Sequence, residues 1–203
     1  MVNHIVEHSL ISKNQHGFVN KKACVTNLLG SIDMMSKALS MDVAFIDLSK
    51  AFDMVPHKRL IYKLEVYGFT GNLLNWINLF LHQRFQRIVM GDYVSLWLEV
   101  FSGVPQGSVL DPILFIIFVN NISNIVNHSC KMYADDTKLQ ARLDHPLASQ
   151  KFQTDIYNIV ECLKDKSEMP GSNCCQPGCT VSSSIKHKDI TLFRISMRTG
   201  DFY

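Results

Sequence analysis

The sequence has little net charge and no long apolar run, and each shortage narrows what the protein can be. Lys and Arg number 20 against 18 Asp and Glu, for a formal charge of +2. A chain that grips nucleic acid by overall charge alone is far more basic, so charge permits such a partner without arguing for one. The most apolar stretch, residues 112–119, falls well short of the roughly 20 residues needed to cross a bilayer, and no membrane segment is expected. No signal-peptide pattern opens the chain. Its six cysteines include Cys24, Cys130 and Cys162, scattered through core-like sequence rather than spaced as a disulfide framework. They read as reduced thiols of an intracellular protein, nuclear or cytoplasmic. No internal repeat is present. At 47% hydrophobic over 203 residues, the chain has enough apolar sequence to bury a sizeable core, which excludes disorder throughout.

Periodicity supplies the elements. Residues 25–39 place Leu28, Leu29, Ile32, Met35 and Leu39 at helical spacing. Residues 42–48 read as a short buried strand ending at Asp47. A helix over 57–67 stops at Gly68, and Thr70 caps another running to about Gln83. Residues 85–90 and 94–101 flank Gly91-Asp92-Tyr93 as a hairpin, and 102–108 form a loop around Gly-Val-Pro-Gln-Gly. A buried helix over 112–126 starts with Pro112 in its first turn. Residues 131–140 make a second hairpin with Asp135-Asp136 at its turn, and a last amphipathic helix covers 147–163. After Lys164 the composition shifts to Ser, Gly, Pro and Cys, and a loosely ordered tail is expected over 164–203.

Three acids stand out. Asp47 follows Ala44-Phe45-Ile46, and Asp135-Asp136 follow Met132-Tyr133-Ala134. Neighbouring strands in one sheet would bring these carboxylates together, and clustered like charges either raise a pKa or recruit a cation. An all-oxygen donor set favours Mg²⁺ or Mn²⁺ over zinc. Two such ions, roughly 3.5–4 Å apart, suit the transfer of a nucleotidyl group. Taken by spacing alone, the same acids are also ordinary turn formers.

The wider strings are more specific. Phe45-Ile46-Asp47-Leu48-Ser49-Lys50-Ala51-Phe52-Asp53, Ser102-Gly103-Val104-Pro105-Gln106-Gly107-Ser108-Val109-Leu110 and Tyr133-Ala134-Asp135-Asp136-Thr137-Lys138-Leu139 resemble, in this order, the A, B and C motifs of reverse transcriptases from LINE-type, jockey-like non-LTR retrotransposons. Gln15-His16-Gly17-Phe18 with Cys24-Val25-Thr26-Asn27-Leu28 is similar to the family segment that precedes the palm. The resemblance covers about residues 14–143. It implies an α+β polymerase palm, an antiparallel sheet backed by helices, over 42–163, with partial fingers over 1–41, no thumb, and a tail foreign to the family over 164–203. It implies an RNA-directed DNA polymerase whose catalytic, metal-binding acids are Asp47, Asp135 and Asp136. Its cofactor is two Mg²⁺ or Mn²⁺ ions, and its partners are an RNA template, a DNA primer and dNTPs.

Leu48, Phe52, Gln106 and Gly107 match the substrate-binding positions. Phe52 would crowd a ribose 2′-hydroxyl, a steric exclusion, with a core aromatic as the competing reading. Gln106 offers amide donors and an acceptor, and Gly107 lets backbone approach closely. Lys50 and Lys138 flank the acids and read either as phosphate contacts or as solvated lysines. Arg84 and Arg87 carry the same pair of readings, and Asp53 and His57 read as structural.

Departures from the pattern are also visible. Asp111 stands where the family usually has glycine, next to the nucleotide loop, where its charge would repel a triphosphate. Asn121 replaces an aspartate, and Lys21 and Lys22 replace glycine and arginine. Family fingers and thumb sequence is not seen, and the expectation is a truncated element copy. Cys174, Cys175, Cys179 and His187 do not have structural zinc spacing. Two alternatives stay open: an RNA-dependent RNA polymerase, and a catalytically inactive remnant that binds nucleic acid weakly.

Overall fold

The computed structural model describes residues 1–48, 50–164 and 190–196. Helices and antiparallel sheet are mixed, and the chain divides into two compact units, residues 1–10 with 50–118 and residues 11–49 with 119–203.

In the first unit, α1 (Val2–Glu7) precedes α3 (His57–Val66) and α4 (Gly71–Leu81), numbered after α2 (Cys24–Ser36) of the other unit. α3 packs on α4, and their apolar faces are buried through Leu60, Leu64, Ile77 and Leu81. The expected boundaries hold to within two residues. The Gly68 N–H donates to the Glu65 carbonyl and closes α3 where the sequence placed its stop.

The expected hairpin after α4 is present but interrupted. β2 (Phe85–Gln86) pairs with β5 (Leu98–Glu99), and β3 (Val89–Met90) pairs with β4 (Tyr93–Val94). Between the two ladders, the Ser95 N–H donates to the Ile88 carbonyl at 2.9 Å, while the Ile88 N–H turns to the Ser95 hydroxyl at 2.8 Å instead of a main-chain carbonyl. α5 (Asp111–Val119) then buries Leu114, Phe115, Ile116 and Ile117.

His57 is buried in this unit, and its Nε2–H donates to the Gly103 carbonyl at 2.7 Å. Burial pushes its pKa below the usual histidine value, with His82 and Arg84 adding to the effect and the Gly103 bond opposing it. A histidine held neutral in the fold binds its proton more readily when unfolded. Its stabilising contribution is therefore complete above the ordinary pKa near 6.5 and is lost as pH falls below it. The thermal midpoint of residues 1–203 should drop between pH 7.5 and 5.5, and His57→Gln should flatten that dependence. An unchanged slope in the variant would contradict the assignment.

The second unit is built on β1 (Ser40–Ile46), β6 (Ser129–Tyr133), β7 (Asp136–Arg142) and β8 (Ile190–Ser196), in the order β6-β7-β1-β8, all antiparallel. α6 (Ala148–Lys164) packs across β7 and β1, burying Phe152, Ile156 and Ile159, and α2 packs against β6. Residues 190–196, expected within a loosely ordered tail, instead run as a strand along the second edge of β1. Its backbone pairs with β1 from Ser40↔Ser196 to Ile46↔Ile190. The cysteine cluster and His187 lie outside the described residues.

Two expectations need correction here. The helix expected over 112–126 leaves α geometry at Val119 and continues as a 3₁₀ turn over Asn120–Asn124. The Asn120 side chain accepts the Ser12 N–H at 2.7 Å and the Ser123 hydroxyl donates to that of Ser12, so side chains there serve a neighbouring segment instead of a solvated helix face. In α2, only part of the apolar stripe turns inward: Met35 packs on buried Ala38, Met41 and Val43, but the residues before it do not follow. Asn27 and Ser31 are buried while Leu28, Leu29 and Ile32 are exposed, because α2 meets the main-chain edge of β6, where the Asn27 amide donates to the Met132 carbonyl at 3.1 Å.

Candidate nucleotidyl-transfer site

The register of the central sheet determines where the acids stand. Ile46 is the last residue of β1 and pairs with Thr137, so Asp47 emerges one step beyond that pair, on the side where Asp136 precedes Thr137. Asp136 opens β7 opposite Tyr133, which leaves Ala134 and Asp135 as the two turn residues. The turn expected at Asp135-Asp136 is thus shifted back by one position. Tight two-residue hairpins require a residue at positive φ, and Ala134 supplies it at +56°.

Asp47 and Asp136 line one open cleft of about 270 Å³, together with Lys131, Tyr133, Lys138 and Asn27. Burial pushes the Asp136 carboxyl above its usual range, and the charges of Asp135 and Asp47 add to that. All three acids therefore share one local field. Among the described residues, no three His, Cys, Asp or Glu side chains converge as a ready-made metal cage.

Lys131 and Lys138 face each other across the β6–β7 ladder. Burial, followed by the charge of Lys131, depresses the pKa of Lys138. Lys138 is thus a cleft residue and not simply a solvated one. Lys131 was missed from sequence, although it stands two positions before Tyr133 and alternation puts both on one face. Leu48 is half buried beside Asp47, and Lys50 has a positive φ of +54°.

The remaining predicted residues belong to the first unit. Phe52 stacks on Phe115 of α5, with ring centroids 4.2 Å apart. Gln106 is exposed, and its Nε2 donates to Asp53 Oδ1 at 2.8 Å. The Ser102 hydroxyl donates to the Asp53 carbonyl, so Asp53 and the buried His57 both tie to the 102–107 loop. Gly107 has a φ of +82°, a conformation that side chains rarely adopt, and its N–H donates to Asp111 Oδ2 at 3.0 Å. The Arg87 guanidinium lies 4.6 Å from the centre of the Trp97 ring and is engaged there.

Comparison with known proteins matches residues 1–167 to the family described as reverse transcriptase (RNA-dependent DNA polymerase). An RNA-directed DNA polymerase from the mobile element jockey of Drosophila melanogaster is 29% identical over 143 residues, covering 66% of this chain and 15% of that protein. A retrovirus-related Pol polyprotein from the type-1 retrotransposable element R2 of Popillia japonica is 26% identical over 91 residues, covering 45% of this chain and 15% of the relative. A probable RNA-directed DNA polymerase from transposon BS of Drosophila melanogaster is 34% identical over 84 residues, covering 40% of this chain and 9% of the relative. The chain thus spans only a small part of the curated relatives it matches. No described helix is long and apolar enough to cross a membrane. On a family match that runs over most of its length, this chain belongs to the reverse transcriptase family, and its relatives are polymerases of non-LTR retrotransposons.

Proposed function

We propose that this chain carries the palm of an RNA-directed DNA polymerase, over 42–163, and that Asp47, Asp135 and Asp136 serve nucleotidyl transfer onto a DNA primer paired to an RNA template. The observation that carries this reading is the shared field of the three acids at one end of the β1–β7–β6 sheet. The segment 1–41 would then contribute to the fingers, and residues 190–196, expected within a tail foreign to the family, would add a strand to the palm sheet beside β1.

The donor set fits a hard divalent cation. It is all carboxylate oxygen, and Asp136, raised first by burial and then by the charges of Asp135 and Asp47, stands beside negative charge that a cation would offset. Mg²⁺ commonly takes one or two carboxylates and completes its shell with water and substrate phosphates, so a site without three converging ligands remains compatible with it. When bound, a pair of such ions favours ionisation of the primer hydroxyl and offsets charge on the departing pyrophosphate.

The protein's own groups hold the reactants. Lys131 and Lys138 present positive charge to phosphate beside the acids. Phe52, its ring held by the stack on Phe115, would crowd a 2′-hydroxyl and favour dNTPs. Gln106 and Gly107 would line the incoming nucleotide, with Leu48 beside Asp47.

One feature favours the second reading, an inactive remnant. The Asp111 carboxylate occupies the Gly107 N–H, a group the nucleotide would otherwise meet, and places a negative charge there. The test is a chimera in which residues 14–143 replace the matching stretch of the jockey polymerase. It should extend a DNA primer on an RNA template with dNTPs, and Asp111→Gly should raise that rate by about tenfold, the scale of one lost repulsive contact. No extension with either residue at 111 would leave the remnant reading standing.

A further inference from the structure

The Gln15-His16-Gly17 segment has a role to which the chemistry above gives no part. Gln15 is fully buried, and its side-chain amide is spent on the acid-bearing turn. Its Oε1 accepts the N–H of Ala134 at 3.0 Å and that of Gly17 at 2.8 Å, and its Nε2 donates to the Ala134 carbonyl at 3.3 Å. Both main-chain polar groups of Ala134, the residue at positive φ, are therefore met by one side chain 119 positions away in sequence.

The brace is itself anchored. The His16 N–H donates to the Met132 carbonyl at 2.8 Å and the Met132 N–H donates to the Asn14 carbonyl at 2.9 Å, a short parallel pairing along β6. The Lys22 ammonium donates to the Gln15 carbonyl at 2.9 Å. Gly17 lies so close to the turn that a Cβ there would stand 2.3 Å from the Ala134 nitrogen, a backbone atom that can yield only if the turn moves.

We propose that Gln15 and Gly17 are positioning residues for Asp135 and Asp136, fixing through the Ala134 backbone the direction in which the turn presents its carboxylates to a divalent cation. An amide suits the task because it offers acceptor and donor at once, matching the two main-chain groups of a single residue. A hairpin turn with an alanine at positive φ is unfavourable by itself and needs outside support to persist. The cation part of this inference rests on the function proposed above. The brace itself does not.

The experiment uses residues 1–203 with Mn²⁺ as the probe, and reads metal affinity by electron paramagnetic resonance and amide hydrogen exchange by NMR. Gln15→Leu should speed exchange at Ala134 at least tenfold and weaken Mn²⁺ at least tenfold, while the β1–β7 amides of Ala44 and Leu139 exchange as before. Gly17→Ala should weaken Mn²⁺ similarly without removing any of the amide's bonding atoms. Unchanged Mn²⁺ affinity in both folded variants overturns the positioning role. Should Gln15→Leu fail to fold, the wild-type chain decides: an Ala134 amide exchanging at the rate of an unprotected peptide overturns the brace, and strong protection supports it. If wild-type Mn²⁺ binding is insensitive to Asp47→Ala with Asp135→Ala, the function reading fails. Exchange at Ala134 then still separates a brace from no brace.

Discussion

Replacing Asp135 with alanine in the jockey chimera should lower primer extension by at least about 10³-fold while changing affinity for an RNA–DNA hybrid by less than about threefold. Each factor of ten corresponds to about 1.4 kcal/mol of barrier, and a metal ion that offsets transition-state charge contributes several kcal/mol. Affinity for the hybrid comes instead from phosphate contacts spread over many cationic groups, which this substitution leaves alone. The split between rate and binding is therefore the diagnostic. Asp47→Ala should behave alike, because Asp47 leaves β1 one step past the Ile46–Thr137 pair and its charge adds to the burial that raises Asp136. Extension retained within tenfold by either variant would refute the assignment of these acids. Equal losses in extension and binding would make them structural.

Asp155→Ala should destabilise the second unit by about 3 kcal/mol or more, since each buried donor left unsatisfied costs about 1–3 kcal/mol. The Asp155 side chain is fully buried on α6. It accepts the N–H groups of Asn127 and His128 at 2.9 Å each, the Asn127 amide at 3.0 Å and the His128 Nδ1–H at 2.7 Å. Alanine would leave these four donors unpaired at the entry to β6, the strand that carries the acid turn. For a chain of this length, each kcal/mol moves the thermal midpoint by roughly 2–4 °C, so a fall on the order of 10 °C is expected. Asp155→Asn keeps the shape and one acceptor oxygen and should fall between. A loss below about 1 kcal/mol for Asp155→Ala in a thermal melt would show that water or rearrangement satisfies those donors.

Asp155 also shows where sequence reading stops. Its place on an amphipathic helix is legible, since Phe152, Ile156 and Ile159 keep the helical period and are buried as expected. That Asp155 points inward with them is not legible, because its partners sit in the loop before β6, 27 and 28 positions earlier. Asn27 and Ser31 mislead in the same way. Periodicity assigns the apolar stripe of α2 to the core, yet a helix that docks on a strand's main-chain edge is better served by an amide than by leucine.

What the sequence by itself determined is the set of local patterns: the helices and strands to within a few residues, the ordered strings around Asp47, Gln106 and Asp135, and through them the family. Each depends on period, turn chemistry or short contiguous spelling, all of which act within a few residues. What only the tertiary structure decided is the pairing across long intervals. It set Ile46 opposite Thr137, gave Ala134 its positive φ with Gln15 bonded to both of its main-chain groups, ran residues 190–196 along β1, and gave the Gly107 N–H to Asp111. The last of these spans only four residues, but it depends on the loop's exact path. Apart from the exposed Gly107–Asp111 bond, such contacts are chosen by which strands and buried polar groups find partners once the chain has collapsed, and that choice depends on all the other elements being in place.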